Sequence, residues 1–200
     1  SVGSMVMNCK PVPTLDERIN DIRMRTAEIV NNDIIPNENR LWAERRAGES
    51  FHDRTAVLEL RAEIKEKVRK AGLWAPHLPA EYGGMGLDFL AHAYMNAVLA
   101  YAIAPAQLFG AVAPNSGNQS LPVKYGTPEE KELYRPKLSS GQWTGTVCLT
   151  EPHCGTDLGL LRSKAEPQAD GSYKLTGQKI FISAGEHDLA PNIIHLVLAR

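Results

Sequence analysis

Cysteine is scarce, with Cys9, Cys148 and Cys154 the only three among 200 residues. An odd set at irregular spacing supports no disulfide framework and points to a reducing compartment, the cytoplasm or, in a eukaryote, an organelle matrix. Net charge is also lacking: 22 Lys+Arg oppose 23 Asp+Glu, leaving −1. No overall field therefore favours nucleic acid or an anionic membrane as partner. Long apolar runs are absent too. The longest covers residues 97–106, is interrupted by Pro105, and falls well short of the roughly 20 residues that span a bilayer. Ser1–Met5 has no basic head leading an apolar segment, so it reads as an added tag, with 1–13 expected to be flexible, and not as a signal peptide. The 13 prolines and 16 glycines follow no period, which excludes collagen and repeat arrays. What is present is ordinary for a soluble globular chain: 43% hydrophobic and 22% charged residues, at a length suited to one domain or two small ones.

The first part of the chain has helical periodicity. Leu15, Ile19, Ile22, Ile29, Val30 and Ile34 form one stripe; Thr14 and Glu17 read as its capping box and Pro36 as its end. Val57, Leu60, Ile64, Val68 and Ala71 form a second stripe, with Gly72 placed for a left-handed close. A third begins near Asp88 and uses Leu90, Tyr94, Val98 and Tyr101, after a glycine-rich ordered loop at 79–87. Thr127-Pro128-Glu129-Glu130 opens a further helix with a cap, a proline at its first position and two carboxylates in its first turn. Leu133 and Leu138 are expected to face inward from it. Pro105, Pro114 and Pro122 predict only short helices over 102–122.

After Gly141 the period becomes two. Trp143, Gly145, Val147 and Leu149 alternate with Thr144, Thr146, Cys148 and Thr150 as a half-buried strand requires. Asp170-Gly171 between 163–166 and 173–176 predicts a hairpin. Two more strands are expected at 179–183 and 193–199, the second buried because it is nearly all apolar. A sheet that stops at Arg200 exposes an unpaired edge, so the expectation is the front of a longer polypeptide, or a chain completed by another.

Chemistry concentrates in Cys148-Leu149-Thr150-Glu151-Pro152-His153-Cys154-Gly155-Thr156-Asp157. A metal site at His153 and Cys154 is not expected: adjacent residues on an extended backbone point apart, and no second Cys/His pair stands at zinc spacing. A nucleophilic cysteine served by His153 meets the same objection. A plain polar loop, with Cys148 a small buried hydrophobe, is one remaining reading. A cofactor cradle is the other. A planar, partly anionic ring needs N–H groups and hydroxyls at its polar edge and a flat residue on one face, and a phosphate tail needs close backbone approach. Thr150, Gly155, Thr156, Phe181 and Ser183 are of those types, although Phe181 taken alone reads more readily as a strand core residue.

Thr-Glu-Pro-x-x-Gly-Thr-Asp at 150–157, followed by Gly177-Gln178-Lys179-Ile180-Phe181-Ile182-Ser183, resembles the flavin-binding middle domain of acyl-CoA dehydrogenases. Leu78-Pro79-Ala80-Glu81-Tyr82-Gly83-Gly84-Met85-Gly86 and Tyr125-Gly126-Thr127-Pro128-Glu129-Glu130-Lys131 resemble that family's N-terminal domain. The resemblance implies FAD as cofactor. The backbone of Val147, Cys148, Leu149 and Thr150, with the Thr150 hydroxyl, would meet the flavin pyrimidine edge. Gly155 and Thr156 would approach the pyrophosphate or the CoA arm of the substrate, Phe181 the ring face, and Ser183 the flavin N5. The family more often has small residues at 153 and 154, serine at 156, tryptophan at 181 and threonine at 183. The middle segment is similar to the larger-subunit branch acting on long-chain or methylthio-propanoyl-CoA, and residues 70–140 to the ordinary-length branch.

The implied fold is α+β: a helical N-terminal domain over 14–141, then an antiparallel, barrel-like β domain over 142–200, without the C-terminal helical bundle. The implied activity is α,β-dehydrogenation of an acyl-CoA, its base carried by that missing bundle, so no residue here is assigned as catalytic and the fragment alone is expected to be inactive. Glu151 reads as ordering its loop beside Pro152. The implied partners are acyl-CoA, an electron-transfer flavoprotein as acceptor, and further copies in a homodimer or homotetramer. A flavin-dependent monooxygenase or oxidase of the same fold, and a non-catalytic binding module, are the alternatives.

Overall fold

The computed structural model describes residues 7–42, 55–113 and 115–200. Contacts divide the chain between Val112 and Ala113 into two compact units.

The first unit is helical. Asp16, and not Thr14, caps α1 (Glu17–Ile29), its carboxylate accepting from the Arg18 N–H at 2.7 Å. The Leu15 N–H already turns back to the Val12 carbonyl, which moves the helix start past the expected capping box. Pro36 does not end the helical path either. Val30–Ile34 forms a π turn and Ile35–Asn37 a 3₁₀ turn, and Pro36 sits in the first turn of the latter, where a missing N–H costs no bond. α2 (Glu38–Leu41) follows directly. Within the segment 1–13 expected to be flexible, Met7 is buried and exchanges two hydrogen bonds with Asn31; residues 1–6 lie outside the described ones.

α3 (Thr55–Lys70) buries Ile64 and Val68 as its spacing requires. Gly72 closes it with φ +69°, and the Leu73 N–H returns to the Val68 carbonyl. α4 (Phe89–Leu99) starts at the expected Asp88, whose side chain accepts from the Ala91 N–H at 2.8 Å. Its buried face is not the expected one. Ala91, Met95, Val98 and Leu99 point inward, while Leu90 is 58% exposed. Two interleaved apolar stripes run along this helix, and packing against α1 selects the one centred on Met95.

In the second unit α5 (Asn115–Tyr125) runs eleven residues with Pro122 inside, longer than its prolines suggested. Pro114 lies outside the described residues. α6 (Pro128–Ser139) has the expected start as a full capping box: Thr127 Oγ1 accepts from the Glu130 N–H and Glu130 Oε2 from the Thr127 N–H. Leu138 is buried, but Leu133 is 49% exposed, because it lies five residues from Leu138 and so about 140° around the helix.

β1 (Thr144–Cys148) pairs in parallel with β4 (Ile193–Val197), and β2 (Lys164–Pro167) pairs antiparallel with β3 (Tyr173–Thr176). The expected all-antiparallel arrangement is therefore corrected, and the described strands form two two-stranded ladders and no closed barrel. The Asp170-Gly171 hairpin is present, with Gly171 at φ +85° and the Ser172 N–H on the Asp170 carboxylate. β4 is only partly buried: His195 breaks its apolar run, and Val197 and Leu198 are exposed. The expected strand at 179–183 does not form, since Phe181 at φ +56° and Ala184 at φ +57° leave the extended region. Asn115 and Asn118 tie α5 to the sheet. Asn115 Oδ1 accepts from the Gly145 N–H at 2.7 Å, and Asn118 Nδ2 donates to the Ile194 carbonyl at 2.8 Å. Among the described residues no helix is long and apolar enough to cross a membrane.

The α4 stripe separates two substitutions. Met95→Ala should cost about 2–5 kcal/mol of unfolding free energy by urea titration, and Leu90→Ala about 0.5 kcal/mol or less. The reverse order would restore the stripe read from sequence.

Candidate functional site

The β1–β2 connection begins with a turn that closes on itself. The Glu151 N–H donates to the Cys154 carbonyl at 2.8 Å and the Cys154 N–H to the Glu151 carbonyl at 3.1 Å. Inside this turn the Glu151 side chain is buried. Its Oε2 accepts from the Arg162 N–H at 2.7 Å, and its Oε1 from the Ser163 N–H and from Lys179 Nζ, both at 3.0 Å. The Ser163 hydroxyl buried beside it, the Arg162 and Ser163 N–H groups and the Lys179 ammonium hold this carboxyl well below the usual carboxylate range, overriding the opposite push of burial. Lys179 also donates to the Leu149 carbonyl at 3.0 Å. One carboxylate and one ammonium thus join three segments: the end of β1, the start of β2 and the stretch leading to Phe181.

The ladder decides which backbone groups of β1 are available. The Thr144 N–H is bonded to Asn192 and the Cys148 carbonyl receives the Leu198 N–H, so even-numbered residues face β4. Alternation then places the N–H and C=O of Val147 and the N–H of Leu149 on the opposite edge. Cys148, expected to offer backbone groups, instead has its carbonyl committed to the ladder. Its side chain is buried within 4.0 Å of His195 Nδ1, which also meets Thr146 Oγ1 at 2.6 Å.

Thr150 is half-buried, and its carbonyl accepts the Ile180 N–H at 2.9 Å, which brings 180–183 beside the turn. Gly155 lies against Thr150: a Cβ there would stand 3.2 Å from Thr150 Cγ2. Thr156 and Ser183 are exposed. Phe181 is no strand core residue; it is 88% exposed in the left-handed region. The structure therefore packs Gly155 on Thr150 and bonds Ile180 to the Thr150 carbonyl, while Val147 and Leu149 present backbone groups on the edge of β1 away from β4 and the Phe181 ring projects outward.

Sequence reasoning missed Lys179 and the Arg162–Ser163 backbone. Lys179 stood in the motif as a nominal strand residue, and the signal available was the need of a buried Glu151 for a cation. It also missed the convergence of Glu151, His153 and Cys154, whose ligand atoms lie within 4.8 Å of one another. The closed turn removes the extended backbone, one of the two grounds of that exclusion; the other, the lack of a second Cys/His pair at zinc spacing, stands.

Residues 16–142 match the acyl-CoA dehydrogenase N-terminal domain family. The chain belongs to this family. It is 42% identical over 127 residues to 3-methylmercaptopropionyl-CoA dehydrogenase of Ruegeria pomeroyi, covering 61% of this chain and 20% of that protein. A Mycobacterium abscessus protein assigned as an acyl-CoA dehydrogenase superposes with TM-score 0.76 at 24% identity, over 91% of this chain and 46% of the other. The acyl-CoA dehydrogenase of Bacillus anthracis complexed with FAD gives TM-score 0.59 at 26% identity, over 94% and 30%. The chain thus spans about a fifth of the length of the first relative and under half of these solved chains.

Because the folded Glu151 carboxyl titrates below its ordinary 4.5, its stabilisation is complete above that pH and is lost as pH falls below it. Urea midpoints should drop on acidification from pH 5 to pH 3. Glu151→Gln should lower the midpoint at pH 7, where Lys179 loses its counter-charge, and flatten the acid limb. Parallel pH profiles for the two proteins would contradict this assignment.

Proposed function

We propose that this chain is the N-terminal helical and flavin-binding part of an FAD-dependent acyl-CoA dehydrogenase, with residues 14–141 as the helical domain and 142–200 as the front of the β domain. The observation that carries the reading is Phe181. A bulky residue in the left-handed region costs about 1–3 kcal/mol, and here the ring is also 88% exposed, so its own burial does not offset that cost. A flat cofactor ring laid on Phe181 would. The family membership of the chain and the FAD in the B. anthracis relative support the same reading.

When bound, the flavin would supply the acceptor for a substrate β-hydride. The chain's own residues would hold it. The N–H and C=O of Val147 and the N–H of Leu149 would meet its polar edge together with the Thr150 hydroxyl. Ser183 would donate near N5. A Cβ at Gly155 would crowd Thr150, and this bare backbone with Thr156 would meet a phosphate or thioester arm. Glu151 is not proposed as the α-proton base, because its carboxylate is committed to Arg162, Ser163 and Lys179. That base would come from a further domain. The substrate class is an acyl-CoA thioester, and an electron-transfer flavoprotein and further copies of the chain complete the proposed partners.

The full-length protein should purify yellow or take up FAD stoichiometrically, and anaerobic acyl-CoA should bleach the flavin absorbance. Phe181→Ala should weaken FAD binding about tenfold, equal to about 1.4 kcal/mol. A colourless protein indifferent to FAD would refute the proposal, and flavin bleached only by a different reductant would redirect it to oxygen chemistry.

A further inference from the structure

We propose that Glu151, His153 and Cys154 form a divalent-cation site suited to a borderline ion such as Zn²⁺. The site needs only the 151–154 turn and is independent of the flavin reading.

The donor set is one carboxylate oxygen, one imidazole nitrogen and one thiol sulfur, all within 4.8 Å of one another. Mixed O, N and S donors select zinc-like ions over Mg²⁺ or Ca²⁺. In a tetrahedral site with bonds of about 2.0–2.3 Å, ligand atoms stand roughly 3.3–3.8 Å apart. His153 Nε2 and Glu151 Oε2 are already 3.6 Å apart, which leaves the thiol a short adjustment away. The turn accounts for this convergence. Its reciprocal Glu151–Cys154 backbone pair folds neighbouring side chains onto one side.

The carboxylate has capacity for the ion. Two oxygens offer about four lone-pair sites, and three hydrogen bonds occupy them, two on Oε1 and one on Oε2. The open site is on Oε2, the oxygen nearest the imidazole. The backbone N–H groups and Lys179 orient this ligand from behind, as partners of metal ligands do elsewhere. The His153 side chain is 30% exposed, which gives an ion a path from solvent.

Binding is balanced in protons. In the structure His153 Nε2 donates to the Leu160 carbonyl at 2.9 Å. Coordination through Nε2 transfers that proton to Nδ1 and frees the carbonyl. The Cys154 thiol loses its proton to solvent, so one proton is released per ion bound. The thiolate then supplies a negative charge beyond the Glu151–Lys179 pair, and water completes the fourth position. The bound ion would brace the turn between Thr150 and Gly155.

The test uses the full chain, reduced and stripped with a chelator. One equivalent of Co²⁺ should produce a thiolate-to-cobalt charge-transfer band in difference spectra, displaced by Zn²⁺. Cys154→Ser should abolish the band, and His153→Ala should weaken Zn²⁺ affinity by at least about tenfold. Cys9→Ser and Cys148→Ser should leave both unchanged. X-ray absorption at the zinc edge of the wild-type protein should show one sulfur among nitrogen and oxygen neighbours, a readout that does not depend on any variant folding. A wild-type protein without the band, a band that survives Cys154→Ser, or a zinc shell without sulfur would overturn the proposal.

Discussion

The ion pair and hydrogen bonds on Glu151 are the constraint from which the rest of the second unit's site follows. A buried carboxylate is tolerated only when its lone pairs are met and its charge is opposed. Meeting that demand recruits the Arg162 and Ser163 amides from one segment and Lys179 from another. Three stretches far apart in sequence are thereby placed side by side. Lys179 and the Ile180–Thr150 bond carry the start of the 180–183 segment to the end of β1. Phe181 is left standing clear of the core.

Much of the helical structure was legible because its signals are local. Gly72 ends α3, Asp88 caps α4, and the Thr127 capping box opens α6, all from residue type and spacing. The errors came where local signals were duplicated. Thr14 and Asp16 both make acceptable caps, and the turn at Val12–Leu15 chose between them. Leu90 and Met95 both lie on apolar stripes, and the partner helix chose. Pro36 and Pro122 read as breaks, yet a 3₁₀ first turn accommodates one and α5 continues through the other.

The site was legible as a motif and less so as geometry. Thr150, Gly155 and the 180–183 segment do come together. A period of two, however, cannot state whether a strand's partner runs parallel, so the β1–β4 pairing was misjudged, and with it the commitment of the Cys148 carbonyl. The apolar run Ile180-Phe181-Ile182 has strand composition, but its residues follow a long-range bond to Thr150 and no ladder. Lys179 was invisible for the same reason: its meaning depends on Glu151, 28 residues earlier.

The central claim is that the Glu151 carboxylate holds these segments in register. Amide hydrogen exchange at Arg162 and Ser163 tests it most directly, since both N–H groups end on that side chain. Slow exchange in the wild-type protein, accelerated at those two amides and at Ile180 by Glu151→Gln while the β2–β3 amides stay unchanged, is the predicted result. Equal protection of Arg162, Ser163 and Ile180 in both proteins would contradict the account.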